Sequence, residues 1–140
     1  QKKIIFSGIK QFEHNLNNES FFPLLTGNIT YNHIEVNEGG GLNGETGKFN
    51  APVAGTYAFS FSSLTGNAKT YTTVGVFKDG RKQFSIDDGN RGATNNNIGS
   101  SWMFKLRRGE EVCLNVYEGK LRNSAFAYTH FFGHLLMADE

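Results

Sequence analysis

One aromatic at every second position is the feature that most limits how this chain can fold. Tyr57, Phe59 and Phe61 follow a turn at Pro52-Val53-Ala54-Gly55. Successive side chains of a strand point to opposite faces, so these three rings project from one face and Ala58 and Ser60 from the other. The stretch is therefore a half-buried strand with an aromatic core face. Proline fixes one φ in the preceding turn and glycine permits a positive one, which allows a sharp reversal. Phe49, on the strand before that turn, can reach the same core.

At 140 residues the chain is expected to form a single domain spanning residues 1–140, burying roughly 68–70% of its unfolded surface. Seventeen glycines and thirteen phenylalanines with two prolines suit an all-β domain of short strands and frequent turns. The formal charge of +1 is too balanced to drive nucleic-acid binding. One cysteine, Cys113, precludes an intrachain disulfide. In Val112-Cys113-Leu114-Asn115-Val116 it reads as a small buried hydrophobe rather than a reactive thiol. No run of 18 apolar residues suggests a membrane span, and the chain is expected to be soluble and processed. The sequons Asn18-Glu19-Ser20 and Asn28-Ile29-Thr30 permit N-glycosylation of a secreted chain.

Strand-like runs recur along the chain: Ile4 to Phe6, Gly27 to Tyr31, Lys48 to Asn50, Thr56 to Leu64, Thr70 to Phe77, Arg81 to Ile86, Ser101 to Leu106, Cys113 to Tyr117 and Ala127 to Met137. Lys78-Asp79-Gly80 is a tight-turn signal, so the runs on either side form a hairpin. Trp102, Phe104 and Leu106 share one face. Asp87 to Asn97 is polar and reads as a loop. About ten strands at this spacing suit a sandwich or a barrel, and periodicity does not choose between them.

No catalytic pattern emerges. Gly44-Glu45-Thr46-Gly47-Lys48 fails as a phosphate loop because Leu42 and Phe49 occupy positions that need glycine and Ser or Thr. His14, His33, His130 and His134 lack the spacing of a zinc protease. Cys113 and His130 are a bare co-occurrence, without the context of a nucleophile and its base. The chain is expected not to be an enzyme.

The spacing of Phe49, Gly55, Tyr57, Phe59 and Phe61 resembles the C1q-domain signature. Asn37, Leu42 and Thr46-Gly47-Lys48-Phe49 fall at matching distances, although Tyr31 stands where that family usually has phenylalanine. Leu106-Arg107-Arg108-Gly109-Glu110-Glu111-Val112 and Phe131-Phe132-Gly133-His134-Leu135-Leu136 resemble its later motifs. The resemblance spans nearly the whole chain and implies a ten-stranded, two-sheet jelly-roll sandwich like that of tumour necrosis factor. It also implies a homotrimer, with aromatic side chains on the sheet of Phe59, Phe61 and Phe131 as interface candidates.

The resemblance further implies a secreted recognition module, here expected to be an innate-immune lectin for microbial surface glycans. A trimeric head of a collagen-like matrix protein and a cytokine-like receptor ligand are the rivals. Candidate ligand contacts are Asn90, Arg91, Tyr117, Arg122 and Asn123, with Arg91 and Arg122 suited to the carboxylate of sialic acid. Some C1q-like trimers hold calcium, and Asp87, Asp88, Asn95 and Asn96 offer hard oxygen ligands in the corresponding region. A plain solvated loop is the competing reading.

Overall fold

The aromatic alternation is realised in a strand of ten residues, Gly55–Leu64, whose Tyr57, Phe59 and Phe61 are all buried. The structure is a computed structural model that describes residues 3–11, 24–66, 71–88, 96–122 and 128–140. Among these residues there are eleven strands: β1 (Ile5–Lys10), β2 (Leu25–Asn28), β3 (His33–Glu38), β4 (Leu42–Asn43), β5 (Lys48–Asn50), β6 (Gly55–Leu64), β7 (Thr73–Lys78), β8 (Arg81–Asp87), β9 (Asn97–Leu106), β10 (Glu111–Leu121) and β11 (Thr129–Ala138). No helix is present among the described residues.

The strands form two antiparallel sheets. One has the order β3-β1-β11-β6-β9, the other β4-β5-β10-β7-β8, with β2 also paired to β10. This is the expected jelly-roll sandwich, with eleven strands where about ten were expected from the nine strand-like runs. The strands not foreseen are β3 and the two-residue β4, which lie at sheet edges and lack a clean apolar alternation. Some boundaries also differ. β2 ends at Asn28, β7 begins at Thr73, and β9 begins at Asn97, so Asn97 pairs with Leu64 instead of lying in a loop.

The core lies between the sheets. Phe49 stacks on Phe6 at 4.8 Å and meets Tyr57 and Phe59 edge-on at 5.4 and 5.8 Å. Offset and edge-on geometries of this kind are the favoured ones for aromatic rings. Val74 and Val76 of β7 and Val112, Leu114 and Val116 of β10 close the core from the other sheet. The β7–β8 hairpin turns at Asp79 and Gly80, with φ of 51° and 78°. Positive φ at both central residues matches the right-handed twist of paired strands, as the Asp-Gly pair suggests.

Candidate functional site

The residues singled out from sequence divide between two places. Asp87 ends β8 as an exposed residue opposite Thr73, and the Asp88 amide donates to the Thr72 carbonyl at 3.4 Å. The Asn96 amide donates to Thr65 Oγ1 at 3.0 Å, and the Thr65 amide returns a bond to the Asn96 carbonyl at 2.9 Å. The Arg122 amide donates to the Leu64 carbonyl at 2.9 Å. Asn96 and Arg122 are thus tied to adjacent residues, Thr65 and Leu64, at one end of the sandwich. Asn90, Arg91, Asn95 and Asn123 lie outside the described residues. Among the described residues no cluster of three or more His, Cys, Asp or Glu side chains is gathered for a metal.

Tyr117 stands elsewhere, on the outward face of the sheet that contains β10, β7 and β8. Alternation after the buried Val116 turns Tyr117 outward, and a bulge leaves it as the extra residue, since Val116 pairs with Val74 and Glu118 with Thr73. Bulges re-aim side chains, and this one sends the Tyr117 ring across β7. Gly75 makes room for it, since a Cβ there would lie 3.2 Å from Tyr117 Cε1 and 2.8 Å from Phe77 Cε1. A second bulge pairs Val76 with Phe84 but Phe77 with Lys82, so Lys82 joins this face.

The Tyr117 hydroxyl lies 2.6 Å from Ser85 Oγ and accepts from Lys82 Nζ at 3.3 Å, while that ammonium sits 4.5 Å from the ring centre. The hydrogen bond with Ser85 lowers the phenol below its usual pKa, burial opposes that shift, and Lys82 adds to it. Tyr117 is thus fastened within its own sheet.

Beside this group lies a hollow of about 300 Å³ lined by Lys48, Phe77, Asp79, Glu111, Cys113 and Asn115, with Gly80 at its edge. Lys48 Nζ is 3.6 Å from a Glu111 carboxylate oxygen, and the Glu111 amide donates to Asp79 Oδ1 at 2.9 Å. Cys113 is therefore not a core residue: it is half-buried and faces outward. Burial raises its thiol pKa, with Lys48 and Glu111 acting in opposite directions, so the thiol stays protonated at neutral pH. His130 lies on the outward face of the other sheet, next to the core residue Phe131, with its ring tilted 44° to that of Phe132 at 5.5 Å. The sandwich separates Cys113 from His130, so they cannot act as nucleophile and base.

That other sheet, β3-β1-β11-β6-β9, has an apolar outward face. Its exposed large side chains are Ile5, Val36, Met103, Phe132, Leu136 and Met137, and the two methionines are 65% and 64% exposed. A shallow hollow of about 390 Å³ between Ala58, Ser60, Met103, Phe132 and His134 interrupts it. Phe59, Phe61 and Phe131 point the opposite way and are buried in the core, so of the aromatics on this sheet it is Phe132 that meets solvent. In a sheet with one face in the core, the alternating aromatic row is that core face, and neighbouring residues of the same strands lie outward.

The family model of the C1q domain matches residues 11–136. The chain belongs to the C1q-domain family. Its relatives include human complement C1q tumor necrosis factor-related protein 3, 29% identical over 108 residues, covering 77% of this chain and 44% of that protein. Human complement C1q tumor necrosis factor-related protein 2 is 29% identical over 117 residues, covering 80% and 40%. The chain therefore spans less than half the length of these relatives.

The C1q-domain assignment agrees with the fold. The globular domain of zebrafish complement 1qA protein superposes with a TM-score of 0.74 at 18% identity, covering 98% of this chain and all of that one. Murine APRIL at pH 5.0 gives 0.71 at 15% identity over 96% and 100%. The Eiger TNF of S. frugiperda gives 0.70 at 11% over 100% and 96%. At these identities the likeness concerns fold, and function has to be argued from sites.

Sequence reasoning missed Phe77, Lys48 and Asn115 as neighbours of one hollow. Part of the signal was present, because the alternation in Val112 to Val116 places Cys113 and Asn115 on the face opposite the valines.

Proposed function

We propose that this C1q-domain chain is a non-catalytic, secreted recognition head that assembles as a homotrimer and binds microbial surface glycans as a multivalent lectin of innate immunity. The observation that carries the trimer is the apolar outward face of the β3-β1-β11-β6-β9 sheet. Several large apolar side chains exposed on one face mark an interaction site, and a patch that meets copies of itself around one axis gives a closed assembly. The separation of Cys113 from His130 supports the non-catalytic part. No helix among the described residues is long and apolar enough to cross a membrane.

Glycan recognition follows the multivalent logic of such a trimer. A shallow site on a jelly roll makes few contacts, and three tethered copies can raise avidity by about 10²–10⁴ when the target spacing allows simultaneous engagement. A broad glycan array with and without calcium tests this part. Enhanced binding to clustered glycans is the expected result. Indifference to every glycan together with tight capture of a host receptor would instead establish the rival reading, a cytokine-like ligand.

A further inference from the structure

We propose that the hollow on the outward face of β5, β10 and β7 is the sugar subsite of this head, and that it takes a neutral hexopyranose with Phe77 as the stacking surface. The inference rests on the lectin reading above and assigns it a site and a ligand class.

Four observations carry it. First, Phe77 is held in place. Its ring lies against Gly75, where the Tyr117 ring also converges, and Tyr117 is itself fastened by Ser85 and Lys82. Two separate bulges aim Tyr117 and Lys82 at this point. A stacking surface fixed in this way loses little entropy when a ligand settles on it.

Second, the hollow combines one aromatic face with a polar rim. Asn115 offers an amide, Lys48 a donor, and Asp79 and Glu111 acceptors. No described residue engages the Asn115 side-chain amide. A pyranose has the matching construction: a face of C–H groups that suits the negative face of an aromatic ring, and an edge of hydroxyls that both donate and accept. Small-ligand sites are concave, apolar at the base and fitted with a few placed polar groups, and about 300 Å³ lies at the lower end of their range.

Third, the charges select for neutrality. Within the lining, Lys48 pairs with Glu111 and Asp79 adds a second carboxylate, so one positive charge against two negative leaves a net −1. An acidic sugar would bring a third carboxylate to this group. The subsite therefore disfavours sialic acid. Fourth, the hollow is on the opposite side of the sandwich from the apolar sheet face, so it stays open when that face is covered by other copies.

Three proteins decide the matter: the wild type, Phe77→Leu, which keeps an apolar side chain but removes the aromatic face, and Asn115→Ala. Their binding to an array carrying clustered mannosides, galactosides, N-acetylglucosaminides and sialyllactose is compared, with melting temperature and molar mass as controls. The wild type is expected to bind at least one neutral series and to lose about five- to tenfold in single-site affinity with either substitution. Backbone amide shifts on titration with the methyl glycoside of that series should centre on Lys48, Phe77 and Asn115. Neutral-glycan binding that survives both substitutions, or wild-type binding confined to sialyllactose, overturns the subsite and leaves the lectin reading standing. Absence of any glycan binding by the wild type overturns both.

Discussion

The Tyr31 ring packs against Phe131 at 5.7 Å in the core, and its hydroxyl is buried without a hydrogen-bond partner among the described residues. Tyr31 stands where the family pattern has phenylalanine, so this chain carries one extra buried oxygen. Burying an unpaired hydroxyl costs free energy. Tyr31→Phe is expected to stabilise the domain by about 1 kcal/mol at neutral pH, measured by urea denaturation. An unchanged or lower midpoint would show that the hydroxyl has a partner.

The same hydroxyl gives a pH dependence. Burial raises the Tyr31 pKa well above its usual value of 10.0, and Cys113 adds to the effect. The folded state thus holds this proton more tightly than the unfolded one. Its contribution is fully present below pH 10 and is lost as pH rises through the folded value. Stability should fall above about pH 10, and Tyr31→Phe should flatten that fall. Identical alkaline limbs for the two proteins would remove Tyr31 as the cause.

Tyr57 illustrates the opposite arrangement. Its hydroxyl donates to the Val53 carbonyl at 2.7 Å, tying the strand to the turn that introduces it. Burial raises its pKa and the bond to Val53 opposes that shift. Tyr57→Phe should cost about 1 kcal/mol, leaving the aromatic packing on Phe49 in place. A neutral substitution in thermal denaturation would mean the turn is held by other contacts.

The contrast between these residues shows what the sequence could convey. Tyr57, Phe59 and Phe61 were assignable to the core because alternation is a local property of one strand. The Asp79-Gly80 turn was readable for the same reason. β3 and β4 were not, because a register shift between β1 and β3 breaks the alternation of β3 and two residues are too few for β4 to show one. The placement of Lys82 was also hidden. It depends on a bulge, and a bulge is a mismatch in register between two strands that neither sequence announces alone. The candidate site therefore had one of its surrounding residues, Tyr117, visible in the sequence, but not Phe77.

Calcium at Asp87, Asp88, Asn95 and Asn96 is a proposal with a direct thermodynamic test. Asp87 ends β8, Asp88 follows it and Asn96 immediately precedes β9, so the described candidates flank one connection. An ion that binds only the native state stabilises it by mass action. Millimolar calcium should raise the melting temperature of the wild type, and alanine at both aspartates should abolish the increase. Superimposable melting curves in calcium and chelator would leave the connection as a solvated loop.

The apolar sheet face yields the prediction on which the proposed assembly depends. Met103 pairs with Ala58 and Met137 with Thr56, so the two methionines flank β6 at successive outward positions. Both are mostly exposed in the isolated chain, so a charge at either costs the monomer little, within about 0.5 kcal/mol. At an interface the same charge would be buried without a partner, which is strongly unfavourable. Met103→Glu with Met137→Glu should therefore convert a trimer into a monomer while the circular dichroism spectrum remains that of the folded domain. Light scattering at micromolar concentration reads the outcome. A wild-type monomer would end the trimer proposal. A double variant that remains trimeric would move the interface to another face of the sandwich.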